Sequence, residues 1–196
     1  MNLMTATIGG LSIFALVMIA LAVLLVVALV VWVIKTYNAF ISLRNNVDEA
    51  FATMDVYLKK RYDLIPNFVE TVKGYAKHEK EVLTEVIKAR TMAVEAKTEE
   101  EKLEYANKLV PQMRNLIAVA ESYPELKADA LYKSLMGQLV EIEDRLVSAR
   151  RIYDSNVNIY NTTIETFPQN IIASMFAFRT EPLFKIDAGE NIVPKI

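Results

Sequence analysis

The sequence predicts an all-α protein: an N-terminal transmembrane helix continuing into an antiparallel up-down four-helix bundle with long helices. Three observations predict it. None of the 22 basic and 24 acidic residues lies before Lys35, so the first part of the chain is uniformly uncharged. Only 5 glycines and 6 prolines occur in 196 residues, which favours few turns and long helices. Beyond residue 35, apolar residues recur at alternating steps of three and four, the spacing of one helix face.

The anchor comes first, within a segment covering residues 1–34. Leu11 to Ile34 reads LSIFALVMIALAVLLVVALVVWVI, with Ser12 as its polar exception. At 1.5 Å per residue this run spans roughly 36 Å, enough to cross a hydrocarbon core of about 30 Å. A single segment crosses only as a helix, because lipid cannot satisfy backbone amides. Trp32 stands near the end of the run, where an indole suits the interface. A cleaved signal peptide fits poorly: there is no basic n-region, the apolar core is too long, and no small-x-small site follows. Lys35 and Arg44, then Lys59, Lys60 and Arg61, follow the run, whereas Met1 to Gly10 brings only an α-amino group. The positive-inside rule then puts the large domain in the cytoplasm and the N-terminus outside.

The bundle is expected over residues 35–178. Its first helix, about 35–62, continues the anchor and carries Phe40, Leu43, Val47, Phe51, Met54 and Leu58 on one face. Asp63 reads as an N-cap and Pro66 as a first-turn proline, so the chain is expected to turn back there into a helix over about 64–97. Ile65, Val69, Val72, Ala76, Glu79, Leu83, Val86, Arg90 and Ala93 form its seam, widened by Phe68, Tyr75 and Val82. One long helix kinked at Pro66 is the competing picture; it leaves that stripe without an intramolecular partner. The charged run Thr98 to Lys102 reads as a loop.

A third helix is expected over about 103–122, with Leu103, Ala106, Val110, Met113, Ile117 and Ala120 inward and a kink or helix start at Pro111. Tyr123-Pro124 ends it. The fourth, about 125–166, carries Ala128, Tyr132, Leu135, Leu139, Ile142, Leu146, Ala149, Tyr153, Val157, Tyr160 and Ile164 on one face. Four such helices with short connections favour up-down-up-down order. The fourth then returns toward the membrane, and the uncharged segment 169–178 follows it. Ile171, Ile172, Met175, Phe176 and Phe178 are therefore candidates for a membrane or subunit contact, against the alternative that they plug the bundle end. Residues 179–196 read as an extended tail.

Catalytic chemistry finds little footing. The chain has no cysteine and one histidine, so no thiolate or His-rich zinc site and no paired Glu-x-x-His di-iron site can form. His78-Glu79 begins an HExxH pattern, but Val82 stands where the second histidine is needed. There is no nucleophile elbow and no Gly-rich phosphate loop. Carboxylate-only metal binding remains conceivable from Asp48, Glu49, Asp55, Glu70, Glu79, Glu141, Glu143 and Asp144. With a net charge of −2 and interspersed signs, no basic stripe offers a nucleic-acid surface. No enzyme activity and no cofactor are expected. The informative polar residues are Glu79 and Arg90, which lie inside the seam and need partners on other helices. Arg44, Arg145 or Arg150 are candidates for Glu79, and Asp48, Glu49 or Glu143 for Arg90; the expected role is setting helix register.

Several motifs carry a family resemblance: Val47-Asp48-Glu49-Ala50, Lys60 through Asn67 (KRYDLIPN), Val69 through Ala76 (VETVKGYA) and His78-Glu79. To these add Tyr37-Asn38, Glu121, Tyr123-Pro124, Leu126-Lys127-Ala128, Glu143, Arg150, Tyr160-Asn161 and Phe167-Pro168. Together they resemble the LemA family across essentially the whole chain. Phe51 and Tyr153-Asp154 depart mildly from the family's usual Trp and Tyr-Asn. The resemblance implies a bacterial, single-pass protein of the inner (cytoplasmic) membrane with a cytosolic four-helix bundle and no established enzymatic activity. It also brings the association of a magnetosome relative with organising or shaping membranes. The expected function is a non-enzymatic, membrane-anchored scaffold whose partners are the lipid bilayer, further copies of itself and other membrane proteins. The alternatives are an adaptor presenting the bundle to a membrane protease or envelope-stress component, and a carboxylate metal-binding bundle.

Overall fold

The computed structural model describes residues 2–184, with side chains from residue 13 onward. Six α-helices follow in order: α1 Asn2–Tyr75, α2 Lys80–Glu95, α3 Glu99–Glu121, α4 Pro124–Ala128, α5 Ala130–Glu165 and α6 Gln169–Met175. No strand occurs among the described residues. The predicted all-α class is thus observed, with a long apolar N-terminal helix. Among the described residues two compact units form, one from residues 2–44 with Tyr160–Thr180, the other from Asn45–Ile159 with residues 181–184.

The largest difference from expectation is the first turn. Asp63 is exposed in mid-helix and caps nothing, and α1 runs through Pro66 to Tyr75. The chain reverses instead over residues 76–79, where Ala76 N–H closes α1 on Val72 O at 2.8 Å and Leu83 N–H opens α2 on Glu79 O at 3.3 Å. A proline inside a helix leaves the carbonyl four residues back without its donor. Here that carbonyl belongs to Tyr62, and Arg90 Nε of α2 donates to it at 2.9 Å. A side chain thus replaces the missing amide, so the proline need not end the helix.

A second difference concerns Thr98 to Lys102, which is a helix start and not a loop. Thr98 Oγ1 accepts from Glu101 N–H at 3.1 Å, and Glu101 Oε2 accepts from Thr98 N–H at 3.2 Å. This reciprocal capping box satisfies amides that a helix start leaves open. The three consecutive glutamates sit in the first turn of α3, where the helix dipole favours them. The sequence pattern Thr-x-x-Glu carried this signal.

In the unit around residues 45–159, partners of α1 and α5 change in opposite directions along the chain. Asn156 donates to Asn46 O, Phe51 meets Tyr153, Arg61 meets Glu143, Phe68 meets Tyr132, and Tyr75 donates to Asp129. Over this stretch α5 is therefore antiparallel to α1. Lys102 pairs with Asp55 at 2.8 Å and Arg61 reaches Ala106 O, so α3 runs parallel to α1. The interior is apolar, as the spacing predicted: Leu103, Ala106, Val110, Met113, Ile117 and Ala120 of α3 are all buried, as are Tyr132, Leu135, Leu139, Leu146, Ala149, Tyr153 and Val157 of α5. Ala128 is exposed and falls in α4, outside the face assigned to it. Asp129 breaks the chain between α4 and α5, and its Oδ1 accepts from Leu131 N–H at 2.7 Å and Tyr132 N–H at 3.0 Å.

The expected tail is partly tied down. Tyr153 Oη donates to Pro182 O at 2.7 Å, and Phe184 N–H donates to Asp154 Oδ1 at 2.9 Å. The Phe184 ring is buried, with the Arg150 guanidinium 5.2 Å from its centroid. Residues 185–196 lie outside the described residues.

Candidate functional site

In the unit around residues 45–159, Arg61, Tyr62, Arg90 and Glu143 meet at one level. Arg61 is only 2% exposed. Its Nη1 pairs with Glu143 Oε1 at 3.3 Å, and its Nη2 donates to Ala106 O at 3.3 Å. That carbonyl neighbours the one of Asn107, whose helical donor Pro111 removes. Of the two in-helix prolines, Pro66 thus has a guanidinium in place of its missing donor, whereas Arg61 bonds the carbonyl next to the one that Pro111 leaves open. Arginine suits this use because its several fixed donors can bridge two acceptors and it stays charged.

Sequence reasoning named Arg90 but expected it to face a carboxylate. It takes a main-chain carbonyl, and Glu143, one of its proposed partners, belongs to Arg61. Glu79 is not in a seam at all: it is half-buried at the turn before α2 and lines an open hollow with Ala118, Val119, Ser122 and Tyr123. The stepping from Ile65 to Ala93 is not one stripe, because it crosses the turn at 76–79. Arg61 was missed because Lys59-Lys60-Arg61 looks like a solvated basic run. The available signal was its position: Met54, Leu58, Arg61, Ile65, Phe68 and Val72 alternate in steps of four and three, all on the buried side.

Electrostatics fit a structural reading of this layer. Burial pushes the Tyr62 phenol up from its ordinary value, against the pull of the Arg61 guanidinium. Arg61 Nε and Tyr62 Oη are buried without a hydrogen-bond partner among the described residues. His78 is exposed in the turn. Among the described residues, no group of three His, Cys, Asp or Glu side chains is placed to hold a metal ion. Elsewhere, carboxylates crowd near the tail: burial first, then Asp48 and Glu181, raise Glu99 above its ordinary value. Burial and the Glu99 charge likewise raise the Tyr153 phenol.

The second place of interest is α6, within the unit that holds the apolar run. Helix α6 ends in a Schellman motif: Phe178 N–H donates to Ala173 O at 2.9 Å and Ala177 N–H to Ser174 O at 3.4 Å. Ala177 takes the left-handed conformation, with φ 56°. The turn brings Phe178 back onto α1, 5.6 Å from the Tyr37 ring and 5.1 Å from that of Phe40. Phe176 lies 4.9 Å from Tyr37, edge to face. The five residues proposed for contact thus divide. Ile172 is buried and Phe178 half-buried against α1, whereas Ile171, Met175 and Phe176 are exposed. Phe167, not among the five, is more exposed than any of them.

Helix α1 contains an apolar stretch of mean hydropathy 3.4 whose side chains are wholly unburied, and it is the one helix among the described residues long and apolar enough to cross a membrane. A chain helical throughout its described elements, with one helix long and apolar enough to cross a membrane, belongs to a membrane-associated helical class. The chain belongs to the LemA family, whose model matches residues 50–196. It is similar to the Magnetosome protein MamQ 2 of Paramagnetospirillum magneticum, 24% identical over 194 residues, covering 86% of this chain and 71% of that one. To the Magnetosome protein MamQ of Magnetospirillum gryphiswaldense it is 24% identical over 208 residues, covering 91% and 76%. Protein LemA of Metamycoplasma hominis is 21% identical over 150 residues, covering 76% and 68%.

Proposed function

We propose that the chain is a non-enzymatic, single-pass membrane scaffold that self-associates and organises or shapes the membrane. The observation that carries this is α1 itself: the helix that supplies Val47, Met54, Leu58, Ile65 and Val72 to the buried interior also bears the exposed apolar run. The antiparallel and parallel pairings of α1 with α5 and α3 support an up-down-up-down four-helix bundle as the domain so anchored. Lys35 and Arg44 support a cytoplasmic domain with the N-terminus outside, in a bacterial inner membrane.

Self-association draws support from exposed apolar side chains, Val56 on α1 and Val147 and Ile152 on α5. Ile152 lines a shallow cleft of about 210 Å³ with Asn46, Glu49, Ala50, Thr53, Ala149 and Asn156. The likeness to proteins named for the magnetosome supports an organising role over a catalytic one. Reconstitution into liposomes tests the reading. Vesicles are expected to change in size or curvature as protein density rises, and unchanged vesicles at high density defeat it. A fixed complex with a different membrane protein, captured by crosslinking in cells, would instead favour an adaptor.

A further inference from the structure

We infer that α6 is a second membrane contact: an interfacial clip whose Phe167, Ile171, Met175 and Phe176 enter the boundary between headgroups and acyl chains beside the exit of α1. The inference rests on the reading of α1 as a membrane-crossing helix and goes beyond it.

Four observations carry it. The first is position. Phe176 and Phe178 pack on Tyr37, which lies three residues after Ile34, the end of the apolar run. At 1.5 Å per residue this is an axial step of about 4.5 Å, well within a headgroup layer. The second is exposure. Phe167 is 75% exposed, Met175 69%, Ile171 52% and Phe176 48%, all within one ten-residue stretch. Large apolar side chains gathered in this way mark a contact surface, unlike single ones scattered over a protein.

The third is sidedness. Ile171 and Met175 are one helical turn apart on the open side of α6, while Ile172 and Ala173 are buried. The segment therefore has an inner face already satisfied by protein and an outer face that is not. The Schellman turn fixes this arrangement by folding Phe178 back against Tyr37 and Phe40. The fourth is charge. No charged residue occurs from Thr166 to Phe178, and Glu165 and Arg179 bound the gap. Apolar side chains between charged ends, packed beside Tyr37, have the composition of an interfacial segment rather than a spanning one. Lipid is the occupant that this continuity with the apolar run selects.

The chain has no native cysteine, so single labels can be placed without background. Nitroxide labels on Ile171→Cys and Met175→Cys in the full chain, reconstituted in phosphatidylglycerol–phosphatidylethanolamine vesicles, report collisions with oxygen and with a water-soluble nickel chelate. Val23→Cys, in the middle of the apolar run, and Lys88→Cys, on the exposed side of α2, give the two reference environments. The clip predicts that labels 171 and 175 shift from the water reference toward the bilayer reference, at a depth of about 5–10 Å below the interface. Labels as open to the nickel chelate as Lys88→Cys overturn it. Labels closed to both collision partners, with spin–spin broadening that disappears on dilution with unlabelled chains, also overturn it and assign the face to a second copy. If Val23→Cys itself reads as water, the membrane-crossing reading has failed. If Val23→Cys reads deep while 171 and 175 read as water, only the clip has failed.

Discussion

Arg90→Met removes the guanidinium that donates to Tyr62 O and keeps most of the apolar stem. In the native chain Pro66 has no amide hydrogen, so Tyr62 O then loses its donor in a half-buried setting. Hydrogen bonds to charged donors contribute about 1.5–3 kcal/mol, and partial water access sets the expectation at the lower end, about 1.5–2 kcal/mol. For a chain of this length that corresponds to a fall in Tm of about 3–8 °C. The discriminating measurement is a double-mutant cycle with Pro66→Ala, read by chemical unfolding of the full chain in detergent under circular dichroism. Alanine restores the residue 66 N–H, which can bond Tyr62 O within the helix. Arg90→Met should then cost less than about 0.5 kcal/mol, leaving a coupling of about 1 kcal/mol or more. Equal cost of Arg90→Met with proline or alanine at position 66 would refute the compensation argument.

Three further outcomes follow from the same structure. Arg61→Met should destabilise by about 2–4 kcal/mol because Glu143 and Ala106 O lose a nearly buried partner, and the pair Arg61→Met with Glu143→Leu should recover much of it in the same unfolding assay. Ala177→Gly relieves the left-handed conformation and should stabilise by about 1 kcal/mol, seen as a higher Tm. Asp129 accepts from two amides of α5 and from Tyr75 Oη, and the Tyr132 amide bond, followed by the Tyr75 hydroxyl, holds its carboxyl below the ordinary 3.8. Its contribution is therefore fully present above that value and is lost as pH falls through the lower folded value, so Asp129→Asn should flatten the acid limb of the stability–pH curve.

Periodicity alone located most of the interior. The faces assigned to α3 and to most of α5 are buried because a helix that packs against neighbours must carry apolar residues at steps of three and four, whatever its partners are. The turn after α1 was not legible in that way. Pro66 carries a local signal to start a helix, and burial of Ile65, Phe68 and Val72 together with the contact from Arg90 overrides it; no window of sequence around Pro66 contains that arginine. Arg61 was legible in principle, since it occupies a core step of α1, but its neighbours Lys59 and Lys60 disguised it. The divided character of residues 171–178 needed the structure. Ile172 and Phe178 differ from Ile171 and Met175 in direction and not in hydrophobicity, and direction there depends on the Schellman turn.

A membrane scaffold of the proposed kind is built from more than one copy of the chain. The most direct measurement is the mass of the particle extracted from its own membrane in native lipid discs, with every protein in it identified. Several copies of this chain per disc and no stoichiometric partner are expected. One copy per disc, or one copy fixed to a different membrane protein, would contradict it.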